Sequence, residues 1–193
     1  MRNHQNNVEF LLCRLAEDDV LENRDIGGEY SKFDKLLEII PRNSISEDGI
    51  AYDIDNNSEC GHIIKFIKDV AKEKNPKLDM TCGSFFSRNS NLQSNVSRLI
   101  KKLSQDSIPV SVFAGGDNVR DFLDASISFN TYNRHSTHVP HFMVTNERFL
   151  LEMPHTEKSQ IRVDIISDSY EQKTRKDILD FLKNIITELK NKV

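Results

Sequence analysis

The sequence predicts an α/β fold: a mixed, largely parallel sheet flanked by helices, preceded by a helical appendage. Three observations carry that reading. From about Ile50 onward, segments whose apolar residues recur every second position alternate with segments at helical spacing. The junctions between them hold Gly, Pro or helix-capping residues. Strand–helix alternation of this kind suits a sheet covered on both faces. Residues 1–45 lack the alternation and form an acidic helical segment, which leaves residues 46–193 as the α/β domain.

Within the first segment, Val8, Leu11, Leu12, Leu15 and Ala16 recur at helical spacing, and Gly27-Gly28 supplies a stop. Ser31-Lys32-Phe33-Asp34 reads as a capping box opening a short helix through Leu36, Leu37 and Ile40, ended by Pro41. Ile50–Ile54 alternates as the first strand. A helix beginning at Ser58 carries Ile63, Phe66, Ile67 and Val70 on one face and closes at Asn75-Pro76. Leu78–Cys82 is the second strand. Ser90-Asn91-Leu92-Gln93 caps a helix bearing Leu92, Val96, Leu99, Ile100 and Leu103. Val110–Ala114 is the third strand, followed by Gly115-Gly116 and a short helix capped by Asp117 with Val119, Phe122 and Leu123. Residues 126–137 are polar and read as a loop. His141–Thr145 and Phe149–Glu152 form a hairpin around Asn146-Glu147, and Ile161–Ile165 alternates as the last strand. Thr174–Asp177 caps a final helix whose apolar face is Ile178, Leu182, Ile185 and Leu189.

Composition narrows the function classes. Apolar residues make up 37% and charged residues 29% of 193, and no run approaches the roughly 18 apolar residues of a membrane span. The first seven residues lack the apolar core of a leader, so a cytoplasmic location is expected. Cys13, Cys60 and Cys82 are odd in number and widely spaced, which suits reduced thiols rather than a disulfide framework or a cysteine zinc site. Charge is uneven: residues 1–60 hold six Lys and Arg against 14 Asp and Glu, a net of −8, while the remainder has 20 against 16, a net of +4. Neither part is basic enough for a dedicated DNA-binding domain. The acidic segment is a candidate surface for a protein partner.

Candidate chemistry concentrates in Val139–His155. Four of the six histidines lie in or just before it: His135, His138, His141 and His155. The His135-x-x-His138-x-x-His141 spacing would share a face on a helix. On an extended chain broken by Pro140 it cannot, so no metal site is expected. No G-x-G-x-x-G and no phosphate-loop lysine are present, so no cofactor is expected. Gly115-Gly116-Asp117 and Ser84–Ser90 each follow a strand end, where an anion could be held, but the first reads by default as a plain strand-to-helix turn and the second as a segment whose Phe85 and Phe86 pack in the core. Lys173, Arg175, Lys176, Lys183, Lys190 and Lys192 make the last helix basic on its outer face.

The run Phe142-Met-Val-Thr-Asn-Glu-Arg-Phe-Leu-Leu resembles the strand pair that carries the signature motif of the phospholipase D superfamily, H-x-K-x4-D followed by G-S-x-N. The resemblance puts Val139 at the histidine, His141 at the lysine, Asn146 at the aspartate, and Met153, Pro154 and Thr156 at the glycine, serine and asparagine. Valine cannot attack phosphorus, so the resemblance implies a catalytically degenerate module. It would bind a phosphate-containing ligand, a nucleic acid or nucleotide, or a protein partner, in a regulatory role. Its ligand-binding residues would be His141, His155, Arg134, Arg162 and Asn146. Single-copy members often pair their half-sites, so a homodimer is also implied. The alternative is a histidine-dependent phosphoesterase or nuclease using His141, His155 and Glu152, with Glu152 or Asp164 orienting a ring.

Overall fold

A computed structural model describes residues 36, 38–40, 49–55, 60–82, 89–115, 123, 127–132, 139–153 and 161–191. The helix expected from Val8 to Ala16, the Ser31 capping box and the Asp117-capped helix lie outside those residues, as do Ser58 and the Ser84–Arg88 stretch.

Seven strands form one mixed sheet: β1 (Ile50–Asp53), β2 (Leu78–Cys82), β3 (Val110–Ala114), β4 (Ser128–Thr131), β5 (Phe142–Val144), β6 (Phe149–Glu152) and β7 (Ile161–Ile166). Their spatial order is β1-β7-β6-β5-β2-β3-β4. Among the described residues, three longer helices accompany them: α1 (Gly61–Val70), α2 (Ser90–Gln105) and α3 (Gln172–Asn191). The α/β class and mixed sheet match the sequence reading. Parallel pairing is confined to β2 with β3 and β3 with β4, and the other pairings are antiparallel. The reason is local: Thr145–Arg148 joins β5 to β6, and so short a connection can only return antiparallel.

The sheet separates two cores. On one face α1 and α2 bury Ile63, Phe66, Ile67, Val70, Leu92, Val96, Ile100 and Leu103 against Tyr52, Leu78, Met80, Val112, Met143 and Leu150. On the other, α3 buries Ile178, Leu182, Ile185 and Leu189 against Phe142, Val144, Phe149, Leu151, Val163 and Ile165, with Leu36 and Ile40 in the same core. Each such aliphatic side chain contributes about 1.5–3 kcal/mol by leaving water. Because α1 leads from β1 to β2, it crosses β7, β6 and β5, and this crossover brings its side chains over the middle of the sheet.

Several boundaries differ from the sequence reading. β4 lies inside the expected loop 126–137; its Ser-Phe-Asn-Thr has one large apolar residue, too little for a strand pattern, and it forms by pairing with β3. The cap of α2 is Asn89 rather than Ser90: its side chain accepts from the Leu92 N–H at 2.8 Å and donates to the Ile54 carbonyl at 2.7 Å. α1 ends at Val70, before Asn75-Pro76, and the chain tightens through 3-residue backbone bonds from Lys72 to Asp69 and Glu73 to Val70. α3 starts at Gln172, so Thr174 lies within its first turn.

Candidate functional site

The C-terminal ends of β1, β2, β3 and β6 lie along one edge of the sheet, the edge at which open α/β sheets bind ligands. Side chains from three strands and α1 meet there on the α1-covered face. In register, Glu152 stands opposite Asp164 and Arg162 opposite Tyr52. Residues two apart on a strand share a face, so Arg162 and Asp164 both point toward α1. The Glu152 N–H donates to the His141 carbonyl at 2.9 Å, which sets His141 across from Glu152 just beyond the end of β5.

Two imidazole–carboxylate pairs result. His141 Nδ1 lies 3.3 Å from Glu152 Oε2, and Arg162 Nη1 donates to Glu152 Oε1. A carboxylate accepts only, so His141 carries its proton on Nδ1. The His141 side chain is 35% exposed, against 14% for Glu152 and 12% for Arg162. Arg162 thus neutralises and clamps the carboxylate that orients a half-open ring.

The second pair lies deeper. Asp164 is wholly buried on β7, with His62 Nε2 2.6 Å from Oδ2 and the Tyr52 hydroxyl donating to Oδ1 at 3.3 Å. The Tyr52 and His62 rings meet edge to face, centroids 4.9 Å apart. Burial pushes the Asp164 carboxyl up to about 6, the bonds from His62 and Tyr52 oppose that rise, and the Glu152 charge adds to it. Burial, then the Asp164 charge, raises the Tyr52 phenol strongly, so its O–H stays a donor.

The residues expected at the site are placed differently from one another. His141, Glu152 and Arg162 converge. Arg134, His155, His135 and His138 lie outside the described residues. Asn146 does not converge: it sits in the β5–β6 turn at the opposite edge, where Nδ2 donates to the Asn75 carbonyl at 2.8 Å and its own carbonyl accepts from Lys183 at 2.9 Å. It is a turn residue pinned between α1's C-terminal turn and α3. By strand alternation Val139, His141 and Met143 would share a face, but they do not all do so. Val139 packs in the α3-side core and Met143 in the α1-side core. Pro140 has no N–H for the ladder, and the Thr81 hydroxyl fills the break, donating to the Pro140 carbonyl at 2.6 Å and accepting from the Phe142 N–H at 3.0 Å.

His62 and Tyr52 were not legible as site residues. The available signal was Arg162-Val163-Asp164-Ile165, which places two charges on one face of a strand that is apolar on the other. Among the described residues, no three His, Cys, Asp or Glu side chains group as a metal ion would require, and no helix is long and apolar enough to cross a membrane.

No protein-family model matches the sequence, and no curated protein matches it. Among solved structures the chain is similar to TrmBL2, an archaeal chromatin protein described as showing a novel mode of DNA binding. The TM-score is 0.44 and the identity 12%, over 96% of this chain and 66% of that one. This chain therefore spans less than two thirds of that protein, and a likeness of this degree carries no argument about function.

Proposed function

We propose that this chain is a catalytically degenerate phospholipase D-like module that binds a phosphate-bearing ligand, a nucleotide or a nucleic-acid phosphate, at the sheet edge around His141, in a regulatory role. The observation that carries the reading is the half-open His141 ring held by Glu152 while Arg162 cancels the Glu152 charge. With that pair neutral, protonation of the ring leaves a local positive charge at the sheet edge. Val139, at the position of the family nucleophile, is buried in an apolar core and offers no attacking group.

The sign with pH follows. The raised Asp164 carboxyl begins to lose its negative charge as pH falls toward about 6. That loss favours an anion nearby, so affinity for adenosine monophosphate, measured by calorimetry, should strengthen from pH 8 to pH 6. His141→Ala should weaken binding across that range, whereas Asn146→Ala at the far edge should leave it intact. Parent-like affinity in His141→Ala would refute the reading.

The orientation of His141 by a carboxylate also suits a general base, which favours a phosphoesterase as the second reading. Turnover of bis(p-nitrophenyl) phosphate that disappears in both His141→Ala and Glu152→Gln would select it.

A further inference from the structure

The two helical layers differ in charge. On α1 and the turn after it, Lys65, Lys68 and Lys72 are exposed at spacings of three and four, opposite the buried stripe of Ile63, Phe66, Ile67 and Val70. On α2, Arg98, Lys101 and Lys102 are exposed opposite Leu92, Val96, Ile100 and Leu103. α2 contains no acidic residue, and the rest of its exposed face is Ser, Asn and Gln. The one acid within α1 is Asp69, which Lys72 holds at 2.5 Å; Glu73, just beyond, is buried against Arg148 at 3.0 Å. By contrast, α3 intersperses its Lys and Arg with Asp177, Asp180 and Glu188. Asp106, exposed just past the end of α2, is the acid nearest that helix, and cations still outnumber acids on this layer although the whole chain is at −4.

We infer that the outer face of α1 and α2 is a docking surface for the phosphate backbone of nucleic acid. The helices pack side by side on one face of the sheet, and neighbouring helix axes lie about 8–10 Å apart. Lys65 to Lys72 spans about 10 Å along α1. Two cationic rows on that scale match a regularly charged polymer better than a single phosphate, and the hydroxyl and amide side chains of α2 add donors without specifying sequence. The surface is separate from the His141 edge and does not depend on how that edge is read.

The test is fluorescence anisotropy of the full chain with a labelled duplex of about 20 base pairs, two helical turns, across a salt series. Binding should weaken linearly in log–log form, with about 0.9 of slope per phosphate neutralised. The triple variant Lys65→Gln, Lys68→Gln, Lys102→Gln alters exposed side chains only, and an unchanged circular dichroism spectrum verifies its fold. It should lose roughly tenfold or more in affinity at low salt and about 2–3 units of slope. Lys176→Gln, an exposed lysine of α3 on the opposite side of the sheet, should bind the duplex as the parent does, which assigns the loss to α1 and α2. No duplex binding at low salt, or an unchanged slope in the triple variant, would overturn the inference. Displacement of the duplex by poly-glutamate at matched charge would overturn it too, since an acidic polypeptide would then fit as well.

Discussion

Replacing Asp164 by Asn should make the protein more stable relative to its parent as pH rises, by an amount that the surroundings of this carboxyl set. Asp164 is wholly buried and faces His62 from α1, Tyr52 from β1 and Glu152 from β6. Its folded pKa of about 6 stands above the ordinary 3.8. A raised acid contributes stability below the unfolded value and loses it as pH climbs through the folded one. The difference is about two units at about 1.4 kcal/mol each, so roughly 3 kcal/mol separates the two limits. Asparagine keeps the shape and an acceptor for Tyr52 without a charge to bury. Urea denaturation of both proteins at intervals from pH 4 to pH 7 should show the variant gaining up to about 3 kcal/mol on the parent across that span. A difference that stays flat with pH, or that moves toward the parent, would refute the assignment of a raised carboxyl at this position.

Two further changes probe the packing. Leu182→Ala, at a fully buried position of α3, should cost about 2–5 kcal/mol by chemical denaturation, and a loss below about 0.5 would mean that α3 is peripheral. Arg148→Met removes the partner 3.0 Å from Glu73, whose side chain is 4% exposed. The stranded carboxylate should cost about 3–5 kcal/mol, and adding Glu73→Gln should recover much of that loss.

The parts of the fold that were legible in the sequence are those whose apolar residues repeat. The α2 stripe and the Leu78, Met80, Cys82 alternation depend on local spacing, which a window of residues contains. β4 depends on its neighbour instead: Ser128 and Thr131 are exposed, and only pairing with Ser111–Ala114 makes the segment a strand. At the site, His141 and Glu152 were visible because a hairpin sets residues 11 apart opposite one another. Asn146 was misplaced for the same reason, since a hairpin motif lists its turn beside its strand start although the two lie at opposite edges. His62 was invisible because nothing in its own helix marks it. Its significance comes from an aspartate on a strand reached only after the crossover of α1.

That distance has a consequence for assembly of the chain. The bonds from Tyr52 and His62 to Asp164 close loops of 112 and 102 residues, while β5 and β6 meet across a turn. Closure entropy makes the local hairpin quick to form and the long-range pairing slow. During synthesis β1 and α1 emerge first, yet β1 has no described strand partner until β7 arrives. Until then the Tyr52 hydroxyl and the His62 imidazole stand without the acceptor that makes them tolerable under α1. The polar cluster therefore acts as a latch that engages only when both ends of the sheet are present, and a chain stopped before Asp164 would keep the hairpin but lose the edge strand.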